Sequence, residues 1–161
     1  MTVAAQFEIE YLQYLGPDGK PVAELPPAFS DPKTLLPLFK QMLFVRTFDS
    51  KSIALQRTGK LGTYAACLGH EAAHVGIGAA MQKDDVFAPS YREYGAMFMR
   101  GVRPHDVLMY WGGDERGNDY GGNAAKDFPF CVPISTQCLH AAGAALRSEE
   151  RRVGKECRSR W

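Results

Sequence analysis

The stretch that decides the fold runs from residue 70 to residue 101 and reads HEAAHVGIGAAMQKDDVFAPSYREYGAMFMRG. Its first part is rich in alanine and glycine, which predicts a helix from about His70 to Met81 that a neighbouring element can approach closely. A polar turn then leads to the apolar segment Val86–Ser90, which predicts a short buried strand. A second helix follows and ends at Gly101. Alternation of helix and strand indicates an α/β fold built in layers.

The same reading extends to both sides of this stretch. Residues 1–30 predict an irregular arm with a strand-like segment near Phe7 and a turn at 16–19. A long helix is expected from Pro32 to Gly59, with Ser30 or Asp31 as its cap.

Downstream, a short helix is expected from Pro104 to about Trp111, followed by a loop over 112–128 and a strand over 128–134. A last helix is expected to end near Leu146, with Thr136 as its cap. The predicted domains are the arm (1–30), one partial domain (31–147) and a non-native tail (148–161).

Composition limits the possible functions. The chain has 161 residues, 45% of them hydrophobic and 23% charged, which is typical of one globular domain. The net charge of +1 gives no reason to expect a nucleic acid or a membrane as partner. No secretory signal is recognisable, and the four cysteines form no C-x-x-C pair, so free thiols and a cytoplasmic location are expected.

Residues 70–74 spell H-E-x-x-H, the motif of many zinc hydrolases. On a helix, His70 and His74 would share a face and could both bind zinc, with Glu71 as general base. The later glycine and histidine of the extended motif do not occur, and a catalytic zinc also needs a third protein ligand. A zinc hydrolase is therefore kept as an alternative function.

Two further groups of residues carry possible ligands. At the end of the predicted strand, Arg92 offers a fork for phosphate oxygens and Tyr91 adds a hydroxyl group. A surface pair between Arg92 and Glu93 explains the same residues equally well. Residues 131–137 place hydroxyl and amide groups before a helix, where a simple helix cap is the preferred interpretation.

Taken in order, these motifs resemble one family, the alpha subunits of the thiamine-diphosphate-dependent 2-oxo acid dehydrogenases, of the pyruvate or branched-chain type. The similarity covers about residues 7–146. The resemblance implies the thiamine-diphosphate-binding fold, a parallel sheet flanked by helices, here incomplete. The residues that carry it are Gly62-Thr63-Tyr64, Gly69-His70-Glu71-Ala72, Ser90-Tyr91-Arg92-Glu93, Arg100-Gly101 and Pro133-Ile134-Ser135-Thr136-Gln137.

The resemblance also implies roles for single residues. Tyr91 and Arg92 match the pair that holds the cofactor diphosphate, and Tyr64 matches an aromatic residue near the cofactor. The backbone of Ile134 matches the position that meets the aminopyrimidine ring. A structural potassium site is implied by Pro133, Thr136 and Gln137, although Cys131 and Val132 replace serines common in the branched-chain type.

The activity that the resemblance implies is decarboxylation of a 2-oxo acid, with transfer of the acyl group to a lipoyl arm. Pyruvate is the first choice of substrate. The implied partners are a beta subunit, in an α2β2 tetramer, and the lipoyl-bearing acyltransferase core. The catalytic groups are expected in the beta subunit and beyond this region of the alpha subunit.

The Gly-Asp-Gly … Asn motif that binds Mg²⁺ in the family does not occur in this sequence. We therefore expect this chain to be an inactive fragment that binds Mg-thiamine diphosphate weakly or not at all. A non-catalytic remnant that only binds a partner subunit is the remaining alternative.

Overall fold

Helices make up the regular structure in the computed structural model, which describes residue 2 and residues 5–158, with side chains up to Ser148 except at 28 and 123. The α-helices of these residues are α1 (Pro32–Arg57), α2 (Glu71–Ala80), α3 (Tyr94–Arg100), α4 (Pro104–Trp111) and α5 (Thr136–Arg158). Short 3-10 helices occupy Pro27–Phe29, Glu115–Asn118 and Gly122–Lys126. No helix in this part of the chain has the length and apolar character needed to cross a membrane.

The chain divides into two compact units, Met1–Pro37 and Leu38–Trp161. In the first unit the turn predicted at 16–19 is confirmed, because Gly19 has φ +76° and its N–H donates to the Gly16 carbonyl at 2.9 Å. The strand-like segment near Phe7 is not confirmed. Its apolar side chains are largely exposed, and the described residues of this unit provide only an isolated bridge between Leu15 and Pro21.

The start and end of α1 agree with the sequence. The Asp31 carboxylate accepts a hydrogen bond of 2.9 Å from the Lys33 N–H, one of the amides that a helix start leaves without a backbone partner. Pro32 occupies the first helical position, and Gly59 has φ +72°, a conformation that glycine adopts without strain. Asp31 is thus the cap that the sequence offered together with Ser30.

Glycine allows α2 and α3 to pack in close contact. An added Cβ at Gly95 on α3 would lie 2.7 Å from the His74 Cβ on α2. One at Gly78 on α2 would lie 2.9 Å from the Met99 Cβ on α3. Real Cβ atoms essentially never come so close, so each helix uses a glycine where the other passes. The close approach expected from the small residues of α2 is confirmed.

A cluster of aromatic rings forms the centre of the second unit. The rings of Tyr64 and Tyr94 stack with centroids 5.6 Å apart, and Phe48 and Phe130 meet Tyr94 edge-on. The indole N–H of Trp111 donates to the Tyr94 hydroxyl at 3.0 Å. This bond satisfies the indole N–H in a buried position, as a buried tryptophan requires.

The predicted parallel sheet is not confirmed, since residue 2 and residues 5–158 contain no strand. Segments 86–90 and 128–134 are joined in this part of the chain by one backbone hydrogen bond, from the Phe128 N–H to the Phe87 carbonyl at 2.8 Å. The Phe87 N–H donates instead to the Asp127 carboxylate, at 2.9 Å. A short strand is stable only when it is hydrogen-bonded to neighbouring strands. Here the Asp127 side chain, and not a neighbouring strand, accepts the hydrogen bond from the Phe87 N–H.

A buried ion pair organises the same region. Arg100, at the end of α3, donates to both carboxylate oxygens of Asp127, at 2.6 and 2.9 Å. Its remaining hydrogen bonds reach the carbonyls of Gln82 and Asp85, at 3.1 and 2.6 Å. Both side chains are nearly inaccessible to solvent, so this pair connects three segments that regular structure does not connect.

α5 is longer than the sequence predicted. The expected end was near Leu146, but the helix continues to Arg158. It therefore includes residues 148–158, which make up most of the expected tail (148–161). Residues 147–158 are mostly Arg, Glu and Lys, which have high helix propensity, and they include no proline. Residues 159–161 of that tail lie outside the described residues. The cysteines whose side chains are described, Cys67, Cys131 and Cys138, carry free thiols as expected.

The contact between α2 and α3 is testable with two glycines. Gly95→Ala should lower the free energy of unfolding by about 1–3 kcal/mol, because the new methyl group has no room. Gly76→Ala, on α2 with nothing within 4 Å of its added Cβ, should leave it unchanged or raise it by about 0.5–1 kcal/mol. Urea denaturation of both variants measures the difference, and equal effects would contradict the packing.

Candidate functional site

The candidate site is built on residues 62–69, which belong to no helix. Asp49, on the buried face of α1, accepts two hydrogen bonds through its Oδ1 atom. One comes from the Tyr64 hydroxyl at 2.9 Å and the other from the Cys67 N–H at 2.8 Å. A single carboxylate oxygen therefore fixes both ends of the 64–67 segment.

The carbonyls between these two ends are also bound. The Tyr94 hydroxyl donates to the Ala65 carbonyl at 2.8 Å, and Arg92 Nη1 donates to the Ala66 carbonyl. Tyr64 and Arg92, which the sequence singled out separately, thus belong to one hydrogen-bonded group of residues. They are joined through the backbone of the 64–67 segment.

The surroundings of Arg92 decide between the two interpretations of the Tyr91–Glu93 motif. The guanidinium carbon lies 5.1 Å from the centroid of the Tyr91 ring, a cation–π contact. Glu93 does not pair with Arg92, since one of its carboxylate oxygens accepts a hydrogen bond of 2.7 Å from the Ser90 N–H. Within the described part of the chain Arg92 forms no ion pair. The fork of Arg92 is therefore positioned without a protein anion.

Burial controls the protonation of the groups around Asp49. It raises the pKa of Tyr64 above its ordinary value, and the neighbouring Tyr94 and Asp49 act in the same direction. It also raises the pKa of the Cys67 thiol to about 12, with a further contribution from the Asp49 carboxylate. Both groups keep their protons at neutral pH, so Tyr64 stays a donor and Cys67 is not a nucleophile.

The H-E-x-x-H motif has a structural role in this fold. The Glu71 carboxylate accepts from Arg46 Nε at 2.5 Å and from the Gly69 N–H at 3.0 Å. The hydrogen bond from Arg46 is the main reason that the pKa of Glu71 falls to about 2. A carboxylate held in this way is a poor general base at neutral pH.

The histidines of that motif differ in their surroundings. His74 is buried, its Nδ1 atom has no hydrogen-bond partner among the described residues, and burial lowers its pKa. His70 is exposed, and its ring centroid lies 5.6 Å from that of His74. Among the residues whose side chains the structure describes, no group of three His, Cys, Asp or Glu could hold a metal ion. The third ligand that a catalytic zinc needs is thus not found in this part of the chain.

The predicted residues 133–137 form the turn that leads into α5. Ile134 is 81% exposed, and Ser135 has φ +70°, a strained conformation for a residue with a side chain. Thr136 is the first residue of α5 rather than its cap, and its hydroxyl donates to the Pro133 carbonyl at 2.8 Å. Gln137 follows on the first turn of the helix and is half-buried.

A shallow groove of about 470 Å³ lies beside the 64–67 segment. It is lined by Gly62 and Thr63, by the end of α4 and by Val132, and the Gly62 N–H donates to the Trp111 carbonyl at 3.2 Å. No described hydrogen bond joins residues 133–137 to residues 64–66 or 91–92. The structure therefore connects Tyr64 with Arg92 through the backbone of residues 64–67, whereas no described hydrogen bond connects Ile134 to either of them.

Comparison with known proteins assigns the family. The family model described as dehydrogenase E1 component matches residues 39–157. The chain belongs to this family. The match includes Asp49, Glu71, Arg92 and the turn before α5.

The relatives carry more specific names. The chain is 40% identical over 146 residues to the 3-methyl-2-oxobutanoate dehydrogenase subunit alpha of Mycobacterium tuberculosis, covering 88% of this chain and 39% of that protein. It is 36% identical over 138 residues to the pyruvate dehydrogenase E1 component subunit alpha of Acholeplasma laidlawii, covering 86% and 40%. The relative of that name from Bacillus cereus is 33% identical over 145 residues, covering 89% and 38%. The chain thus spans about two fifths of the length of these relatives.

Sequence reasoning missed two members of the site. Asp49 lies on a helix whose apolar residues drew attention elsewhere, and a lone aspartate carries no signal of its own. The pairing of Glu71 with Arg46 joins residues 25 positions apart, which spacing within one helix cannot reveal.

The low pKa of Glu71 makes the fold sensitive to acid. Unfolded Glu71 takes up a proton near its ordinary pKa of 4.5, whereas in the folded chain its pKa is about 2. The carboxylate therefore contributes its full stability above about pH 4.5 and loses it as the pH falls toward 2.

The free energy of unfolding of the unaltered chain should fall more steeply between pH 4.5 and pH 2 than that of Glu71→Gln. Urea denaturation at a series of pH values measures both slopes. Glu115→Gln, which alters an exposed glutamate, should keep the slope of the unaltered chain. Parallel curves for the unaltered chain and Glu71→Gln would contradict the role of the carboxylate.

Proposed function

We propose that this chain is the corresponding part of the alpha subunit of a 2-oxo acid dehydrogenase E1 component, an oxidoreductase that uses thiamine diphosphate. The observation that supports this most strongly is the state of Arg92. Its guanidinium is held by the Ala66 carbonyl and the Tyr91 ring, and Glu93 is bound elsewhere. Membership of the dehydrogenase E1 component family supports the diphosphate of this cofactor as the ligand of the Arg92 guanidinium.

The donors present fit a diphosphate. Arg92 offers guanidinium N–H groups that the described contacts leave free, and a planar fork suits two phosphate oxygens at once. The Tyr91 hydroxyl has no hydrogen-bond partner within residues 5–148 and can add another donor. These residues bind and orient the diphosphate in this proposal.

Three further roles are proposed by family resemblance. Tyr64 lies next to the cofactor and contributes an aromatic wall, fixed by its hydrogen bond to Asp49. The backbone of Ile134 meets the aminopyrimidine ring. A structural K⁺ ion is bound by Pro133, Thr136 and Gln137, and the 2.8 Å between the Pro133 carbonyl and the Thr136 hydroxyl places two oxygen ligands together.

The described residues do not fit Mg²⁺ in the same way. Mg²⁺ prefers an octahedron of oxygen ligands that include carboxylates, and the described side chains, which end at Ser148, provide no metal-binding group of three acidic, histidine or cysteine residues. No role for Mg²⁺ is therefore assigned to this part of the chain.

Thiamine diphosphate, when bound, supplies the electron sink that lets a 2-oxo acid lose carbon dioxide. The residues of this chain position it. Arg92 and Tyr91 bind the diphosphate, and protonated Tyr64 donates to Asp49 beside them. Acyl transfer then requires the proposed partners, a beta subunit and a lipoyl-bearing acyltransferase core.

Pyruvate is the proposed substrate, in line with the names of the relatives from Acholeplasma laidlawii and Bacillus cereus. The relative from Mycobacterium tuberculosis is named for 3-methyl-2-oxobutanoate, which makes that branched acid the alternative.

The diphosphate site can be tested on the chain itself. In a ¹H–¹⁵N NMR titration, thiamine diphosphate should shift the signals of Tyr91, Arg92 and Ala66, with an affinity in the millimolar range because Mg²⁺ ligands are not provided. Arg92→Met should weaken binding about tenfold or more, since a charged hydrogen-bond donor is lost.

Arg116→Met is the matched control, because Arg116 is exposed and pairs only with nearby Asp114. It should bind thiamine diphosphate like the unaltered chain. Equal loss in both variants would show non-specific attraction to positive charge and would contradict the proposed site.

Turnover provides a second test. Supplied with thiamine diphosphate and Mg²⁺, the chain alone should release no carbon dioxide from pyruvate or 3-methyl-2-oxobutanoate, because the catalytic groups are assigned to the beta subunit and to other parts of the alpha subunit. Release of labelled carbon dioxide from the carboxyl-labelled acids measures this. Steady release by the chain alone would contradict the assignment.

A further inference from the structure

A buried carboxylate beneath the site has no explanation in packing alone. Asp49 is 1% exposed, and its Oδ2 atom has no hydrogen-bond partner among the described residues. Burial of a charged group is costly unless hydrogen bonds and opposite charge compensate it. An apolar residue would fill the same position on α1 at a lower cost in free energy. The hydrogen bonds of the Asp49 Oδ1 atom therefore require an explanation.

Among the described residues, hydrogen bonds that compensate the burial of Asp49 reach one of its two carboxylate oxygens. Its Oδ1 atom accepts from the Tyr64 hydroxyl and from the Cys67 N–H, at 2.9 and 2.8 Å. A positive charge that interacts with Asp49 belongs to Arg46, one turn earlier on α1. The pKa of Arg46 is raised by its hydrogen bond to Glu71 first and by the charge of Asp49 in addition.

The two donors to Asp49 enclose Ala65 and Ala66, whose carbonyls point to other side chains. The Ala65 carbonyl accepts from the Tyr94 hydroxyl at 2.8 Å, and the Ala66 carbonyl accepts from Arg92. Since no helix or strand holds residues 64–67, the place of the Ala66 carbonyl depends on the bonds at Tyr64 and Cys67. Asp49 makes both of those bonds.

We propose that Asp49 is a positioning residue for Arg92. By fixing residues 64–67 it sets the Ala66 carbonyl, and that carbonyl aims the guanidinium that binds the diphosphate. The inference rests on the proposed function of Arg92 as a diphosphate ligand. Asp49 itself does not touch the diphosphate.

The choice of variants follows from the hydrogen bonds. Asp49→Ala removes both acceptor contacts. Asp49→Asn keeps an amide oxygen that can accept from Tyr64 and Cys67, so it should largely restore the arrangement. Val45→Ala removes buried volume one turn earlier on the same helix without removing a hydrogen bond to residues 64–67, and it serves as the control for lost stability alone.

Two measurements on the full chain separate positioning from stability. The first is the affinity for inorganic pyrophosphate by NMR titration, and the second is the hydrogen exchange of the Arg92 Nη1–H and the Cys67 N–H without ligand. Asp49→Ala should weaken pyrophosphate binding about tenfold and speed both exchanges, whereas Asp49→Asn should stay within roughly threefold of the unaltered chain. Val45→Ala should lower the unfolding midpoint and leave affinity and exchange unchanged.

Different contrary outcomes would overturn the positioning role of Asp49 and the proposed function of Arg92. If Asp49→Ala leaves Arg92 exchange and pyrophosphate affinity unchanged, or if Val45→Ala changes them equally, the positioning role is overturned. If the unaltered chain does not bind pyrophosphate at all, the proposed function fails, and the Arg92 exchange still decides on Asp49. Should Asp49→Ala not fold, Asp49→Ser, whose hydroxyl is too short to reach both donors, replaces it with the same expectations.

Discussion

The backbone of residues 64–69 must satisfy its polar groups without a helix or a strand, and the site depends on how it does so. Asp49 accepts from the Cys67 N–H, and Glu71 accepts from the Gly69 N–H. Tyr94 and Arg92 donate to the carbonyls of Ala65 and Ala66. These side chains come from α1, from α2, and from the start of α3 and the turn before it. The position of the segment therefore depends on all three helices. Buried backbone groups left unpaired would each cost free energy, which makes the four contacts mutually dependent. The position of Arg92 is one consequence of this arrangement.

The same principle operates where a sheet was expected. Asp127 accepts from the Phe87 N–H, which a neighbouring strand would satisfy in a sheet, and Arg100 donates to the carbonyls of Gln82 and Asp85 in the turn before it. This ion pair is buried, whereas Arg46, the partner of Glu71, is half exposed. Loss of one member of the buried pair would leave an uncompensated charge in the interior, while water screens part of the Arg46–Glu71 interaction. The two pairs therefore differ in what they contribute to stability, although both have short hydrogen bonds.

Sequence reasoning located the helices because their signals are local. Asp31 and Pro32 mark the start of α1, and the small residues of α2 predicted its close packing against a neighbour. Strands depend on neighbours that local patterns do not specify, so the predicted strands at 86–90 and 128–134 do not form among the described residues. The end of α5 was placed too early because charged residues with high helix propensity were interpreted as a patternless tail. In the site, Tyr91 and Arg92 came from a motif, but Asp49 could not, since a lone aspartate on a helix usually faces solvent. Its burial follows from long-range packing alone.

The central claim is that a fixed guanidinium, oriented by the Ala66 carbonyl, receives the diphosphate. A crystal structure of the chain grown with thiamine diphosphate tests this most directly. We expect phosphate oxygens within hydrogen-bonding distance of Arg92 and of the Tyr91 hydroxyl, with Arg92 Nη1 still donating to the Ala66 carbonyl and Glu93 still accepting from the Ser90 N–H. A diphosphate bound elsewhere on the chain, or Arg92 released from Ala66 and paired with Glu93, would contradict it.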